Sequence, residues 1–175
     1  MLKKTFKKPS AISIVVNGTV YRLEVGSGES QVDPADTLAH TLRETLGLKG
    51  TKIGCDRGGC GACTVLLDGV PVLSCMTLAV ECDGKSISTI EGLAGAVGDD
   101  LDPLQQAFVD HGAFQCGFCT PGIIMTAKAM LGKDRTPGRE EVCEALSGHH
   151  CRCISHYQVV EAVLAAAKAG AEQDG

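Results

Sequence analysis

Tryptophan is absent, and only two tyrosines and four phenylalanines serve 175 residues. Large aromatic anchors therefore cannot dominate the core. No apolar run approaches the ~20 residues a membrane-spanning helix needs. The run AISIVV stops at Asn17-Gly18, and before it MLKKTFKK and Pro9 read as a solvated tail, not a secretory signal. Positive charge is also in deficit: the net charge is −5, which argues against nucleic acid or an anionic membrane as the main partner. The sequence has no P-loop, no dinucleotide-binding glycine fingerprint, no Gly-x-Ser-x-Gly elbow and no catalytic triad. A chain without these is not expected to carry out substrate chemistry on its own.

Glycine and cysteine are abundant instead, at 22 and ten residues. A cysteine-rich chain without a secretory signal points to metal or redox chemistry in the cytoplasm. Domains with modest cores often use such centres as staples.

Residues 11–90 read as β-rich. AISIVV and TVYRLEV flank Asn17-Gly18, and TVLL and VPVLS flank Asp68-Gly69. Both dipeptides signal tight hairpins, because both turn residues take positive φ. Between them DPADTLAHTLRETLGL predicts a helix, with Asp33 as cap, Pro34 at the first helical position and Leu38, Leu42 and Leu46 on one face. SISTI adds a last strand, giving a small mixed sheet with one helix across it. Residues 91–100, EGLAGAVGDD, read as a linker. Over 101–170 the pattern turns helical. LDPLQQAFVDHGA gives one helix, Thr120-Pro121 starts a second that Gly132 ends, and Thr136-Pro137 starts a third that Gly148 ends. A fourth runs from its cap Ser155 to about Gly170 and buries Val159, Val160, Val163 and Leu164. The fold class is α+β, a sheet domain followed by four helices.

The cysteines fall into two groups. Cys55, Cys60, Cys63 and Cys75 are spaced C-x4-C-x2-C-x11-C, whose core is the plant-type 2Fe–2S ferredoxin spacing. Gly54, Gly58, Gly59 and Gly61 let the backbone fold closely round a cluster and aim N–H groups at sulfur. Cys116, Cys119, Cys151 and Cys153 form C-x2-C and C-x-C, each at a helix start, where the dipole favours thiolates and Arg152 adds positive charge. Zinc remains an alternative for four cysteines, with His149, His150 and His156 as further donors. Cys82 and Cys143 are left over and read as small buried hydrophobes. His40 and His111 fall in predicted helices and read as surface or satisfied polar groups.

GCDRGGCGACTV, QCGFCTPG and CRC, in this order, resemble the small iron–sulfur subunit of the molybdenum hydroxylases, the xanthine oxidase family; the resemblance spans about residues 11–168. It implies a ferredoxin-like β-grasp domain followed by a four-helix bundle, with one 2Fe–2S cluster in each. It further implies that Cys116, Cys119, Cys151 and Cys153 hold the cluster nearer molybdenum, and Cys55, Cys60, Cys63 and Cys75 the one nearer FAD or an external acceptor. Gln115 matches a glutamine that contacts molybdopterin. The implied partners are a large molybdopterin-binding subunit and a medium FAD-binding subunit, in a complex that dimerises. The function implied is one-electron relay between them; a free-standing two-cluster ferredoxin and a zinc-binding interaction module are the alternatives. The chain departs from the family's Gly-Asn-x-Cys-Arg-Cys-Thr-Gly-Tyr: it has His149, Ile154, Ser155 and His156 in place of Asn, Thr, Gly and Tyr. His149 or His150 is therefore expected to influence the second cluster, by a hydrogen bond or by a charge titrating near neutrality.

Overall fold

The computed structural model describes residues 10–28, 31–94, 101–134 and 136–173. The basic tail and most of the expected linker lie outside them. A five-stranded mixed sheet forms the first half, in the order β2-β1-β5-β3-β4. β1 (Ala11–Val16) and β2 (Thr19–Glu24) turn at Asn17 and Gly18, whose φ angles of 51° and 81° are those the tight hairpin demands. β3 (Thr64–Leu67) and β4 (Val70–Leu73) turn likewise at Asp68 and Gly69. β5 (Ser86–Ser88) lies parallel to β1, with Val16 opposite Ile87, and antiparallel to β3. Alternation on β1 puts Ile12, Ile14 and Val16 in a core closed by Leu38, Leu42, Val65 and Ile87.

The helix across this sheet starts later than the sequence predicts. The Asp33 carboxylate takes the Ala35 N–H at 2.8 Å, and the Asp33 carbonyl takes the Asp36 N–H at 2.8 Å. A local turn thus competes with the helix, as Asp commonly does. Thr37 is the actual cap, accepting from His40 N–H at 3.2 Å. The helix α1 (Leu38–His40) then widens into a π-turn over Thr41–Thr45, closed by Leu46 N–H on the Thr41 carbonyl. Leu38 and Leu42 are fully buried, while Leu46 only packs against the core edge.

Four helices form the second half: α2 (Pro103–Asp110), α3 (Thr120–Lys133), α4 (Arg139–Ala145) and α5 (His156–Gln173). Asp102 caps α2 through Leu104 N–H, and Gln105 reciprocates to Asp102 N–H. α3 runs one residue past Gly132. α4 begins three residues beyond Thr136, because Thr136 N–H turns back to the Asp134 carboxylate and Glu141 takes the Gly138 N–H. Ser155 accepts from Tyr157 N–H at the head of α5. Phe108, Ile123, Val142, Leu146, Val159, Val160 and Val163 make this core, with Leu164 at its margin. Among the described residues no helix is long and apolar enough to cross a membrane.

A third cluster joins the halves: Leu66 of β3 meets Met125 and Ala129 of α3, with Ile90 and Leu93 alongside. The seam between the halves is thus a packed surface. It brings the two cysteine groups into one neighbourhood.

Candidate metal centres

All ten cysteines are free thiols. In the first group Cys55 and Cys60 meet, as do Cys63 and Cys75, and Cys75 also feels the charge of Cys55. The connecting loop folds tightly: Asp56, Gly58 and Gly61 all have positive φ. Gly59 N–H donates to the Cys55 sulfur at 3.2 Å. A Cβ at Gly54 would stand 3.1 Å from the Cys60 sulfur, so the backbone approaches sulfur as only glycine allows. Ser74, fully buried, donates its hydroxyl to the Cys63 carbonyl at 2.6 Å and so fixes the turn that carries Cys75. The N–H groups of Arg57 and Gly59 pull the Cys55 thiol down to about 7, while burial pushes Cys75 up to about 11.

The second group is built on two helix starts. Cys119 is the residue before α3, and Cys151 and Cys153 precede α5. The sulfurs of Cys116 and Cys153 lie 3.4 Å apart, and Cys119 pairs with Cys151. Phe118 N–H, with Cys153, lowers the Cys116 thiol. Burial pushes Cys119 up to about 12. Burial also raises Cys151, but Ile154 N–H, 3.4 Å from its sulfur, and Cys119 outweigh that and leave it lowered. Cys116 and Cys153 face solvent, Cys119 is buried and Cys151 half-buried.

Among the described residues, no three or more Cys, His, Asp or Glu close round a point as a single metal ion requires. The thiols converge in pairs. That donor set fits a two-iron cluster, in which two sulfurs serve each iron, and it fits a tetrahedral zinc site poorly. Sulfur-directed N–H groups and the glycine approach at Cys60 add to the fit.

Other residues behave differently from expectation. Cys82 is fully buried in the sheet core, but Cys143 is exposed: α4 buries Val142 and Leu146 and turns Cys143 outward. His40 is exposed beside Asp36, and His111, His150 and His156 are exposed too. His149 is 6% exposed, with its Nε2 2.8 Å from the Thr126 hydroxyl. Burial holds its pKa well below the usual imidazole range, at about 4. Gln115 is exposed, between the half-exposed rings of Phe114 and Phe118. Leu101, Val109, Phe114 and Pro121 line an apolar groove of about 260 Å³ beside it. Ser74 and Thr126 carried no sequence signal beyond Ser74 standing next to Cys75.

The sequence matches two family models, the 2Fe-2S iron-sulfur cluster binding domain over residues 23–85 and the [2Fe-2S] binding domain over residues 89–164. It is 52% identical over 133 residues to the nicotine 6-hydroxylase small subunit of Paenarthrobacter nicotinovorans, covering 76% of this chain and 79% of that one. The structure matches quinoline 2-oxidoreductase from Pseudomonas putida 86 with a TM-score of 0.82 and 44% identity, over 93% of this chain and 96% of that chain. It matches the aldehyde oxidoreductase of Desulfovibrio desulfuricans ATCC 27774 with a TM-score of 0.84 and 40% identity, over 94% of this chain but 18% of that much longer one.

Proposed function

We infer the function of this chain from its family: it belongs to the iron–sulfur subunits of the molybdenum hydroxylases, and it is the electron-transfer part of such an oxidoreductase. Eight thiols paired into two all-sulfur sites on either side of one seam carry this reading. We assign Cys55, Cys60, Cys63 and Cys75 to a distal 2Fe–2S cluster, and Cys116, Cys119, Cys151 and Cys153 to a proximal one. When bound, each cluster takes up and gives back one electron at a time.

The chain's own residues tune and place these sites. N–H groups of Arg57, Gly59, Phe118 and Ile154 point at ligand sulfurs and stabilise negative charge there. Burial of Cys63 and Cys75 keeps water from half of the first site, and burial of Cys119 from one corner of the second. Residues 11–90 and 101–170 are the two folding units, supported by their separate cores.

Relatives named as small subunits support a larger partner. The Gln115 loop with its apolar groove is the face offered to a molybdopterin-binding subunit, and Gln115 the residue that contacts the cofactor held there. The distal site turns toward an FAD-binding subunit or another acceptor; Met76, 64% exposed beside Cys75, marks that side. The assembly dimerises, and ten free thiols support a cytoplasmic location.

Purification of the native complex tests this reading, with identification of its chains and assay of iron, acid-labile sulfide, molybdenum and zinc. Iron and sulfide in equal amounts with a large molybdenum-containing chain are expected. Zinc without iron would overturn it, and iron without a partner would make the chain a free-standing ferredoxin.

A further inference from the structure

We propose that His149 is a positioning residue that locks the Cys60 loop to the Cys151 loop, and so sets the separation and mutual orientation of the two cysteine sites. The inference rests on the assignment of both thiol sets as cluster sites.

His149 belongs to neither set of thiols, yet it is the most buried histidine in the described chain, and it stands at the seam. Its backbone N–H closes the end of α4 on the Leu146 carbonyl at 3.0 Å. Its Nε2 meets the Thr126 hydroxyl of α3 at 2.8 Å. Its ring lies flat against Gly61, the residue after Cys60: a Cβ there would come within 2.8 Å of Cε1 and 2.9 Å of Cγ. Gly61, with φ +74°, has no side chain to push the ring away. Gly122 of α3 presses on the same peptide, and a Cβ on it would stand 3.1 Å from the Ala62 Cα. The Cys60–Ala62 strap thus packs closely against both α3 and the imidazole. The next residue completes this contact, because His150 N–H donates to the Cys60 carbonyl at 3.1 Å. One residue further on is Cys151.

The Nδ1 of His149 is buried without a hydrogen-bond partner. Leaving a buried polar atom unpaired is unfavourable. A ring serving stability alone would be replaced with advantage by an apolar one. What an apolar ring lacks is the bond to Thr126, which fixes the imidazole plane against Gly61. The same bond ties α3, and hence Cys119 at its head, to the strap that carries Cys60.

The test uses the full chain in its native complex, as wild type, Thr126→Val, Thr126→Ser and His149→Leu. Iron and sulfide are assayed first; their absence from wild type would defeat the cluster assignment itself, separately from this inference. Low-temperature paramagnetic resonance of the fully reduced proteins then reads the splitting that two nearby spins impose on each other, which falls as the inverse cube of their separation. Wild type and Thr126→Ser are expected to share one splitting. Thr126→Val and His149→Leu are expected to keep full iron but to lose the resolved splitting or change its size. An unchanged splitting in both variants overturns the proposal, even if both melt earlier, because the histidine would then be a stabilising residue only. Should His149→Leu fail to accumulate, Thr126→Val decides alone. Loss of iron from Thr126→Val would also overturn it, since the pair would then hold a site together instead of spacing two sites.

Discussion

His150 N–H donates to the carbonyl of Cys60 at 3.1 Å, so two residues far apart in sequence join the two cysteine loops directly. This bond survives only while the backbones on either side stay close. Gly122 controls that approach: a side chain there would run into the Gly61 carbonyl and stand 3.1 Å from the Ala62 Cα. Gly122→Ala is expected to push α3 off the strap and to cost about 1–3 kcal/mol, the usual range for overpacking. Denaturant unfolding of the loaded chain measures it. An unchanged midpoint would mean that the seam yields freely.

Cysteine chemistry outside the two sites separates by burial. Cys82 is fully buried, and burial raises its thiol from the ordinary 9.0 to about 11. Cys143 is exposed on α4. At pH 8 an alkylating reagent is expected to label Cys143 in the loaded chain and to spare Cys82, as peptide mass spectrometry would show. The sign of the linked stability effect follows from the raised folded value. Folding holds the Cys82 proton, so its contribution is complete below about pH 9 and declines as pH rises toward 11. Cys82→Ala removes that alkaline slope at this site.

Asp68 gives the opposite sign. Ser86 N–H and then Lys85 hold its carboxyl below the usual 3.8. Its contacts, 2.9 Å to Ser86 N–H and 3.1 Å to Lys85, tie the β3–β4 turn to β5. The folded value lies below the unfolded one, so this contribution is present above about pH 4 and is lost as pH falls through the carboxylate range. Asp68→Asn keeps a residue that tolerates positive φ but removes the charge. It is expected to leave the melting temperature at pH 7 within a few degrees of wild type and to flatten its fall below pH 4. A variant that steepens the acid fall would contradict the assignment.

The sequence was legible where one local rule decided the outcome. Asn17-Gly18 and Asp68-Gly69 need positive φ at both residues, and few arrangements other than a hairpin supply it. Leu38 and Leu42 reached the core because helical spacing put them on one face, although their helix begins at Thr37 and not at Asp33. The Asp33 turn was the competing local choice, and nothing in the spacing ranked the two. Cys143 could have been placed outward from Val142 and Leu146, four apart, which leave it off the buried face. His149 could not be placed at all. Its burial depends on a glycine in the other half of the chain, and the histidine-rich run in which it sits gives no sign of which ring turns inward.

The independence of the two proposed sites can be tested by removing one buried cysteine from each. Cys63 lies under the sheet-side site with Cys75 and Ala39 in a small cluster of their own. Cys119 and Cys151 instead belong to the core of the four helices. Each cluster holds two irons, so wild type is expected to carry about four per chain. Cys63→Ala and Cys119→Ala are each expected to retain about two irons, and the lost paramagnetic signal should differ between them. Their effects on stability should also differ. In Cys119→Ala the thiol lost stands at the head of α3 among Ile123, Ile154 and Val160, so the helices lose both a buried side chain and the link between α3 and the start of α5. In Cys63→Ala the Ser74 hydroxyl still holds the Cys63 carbonyl position, at 2.6 Å, and the sheet core of Ile14, Leu38 and Ile87 is untouched. Thermal unfolding is therefore expected to show the larger loss, with unfolding of helical content, in Cys119→Ala. Loss of all iron in either variant would show that the seam couples loading of the two sites, and equal losses of stability would show that the two cores do not unfold apart.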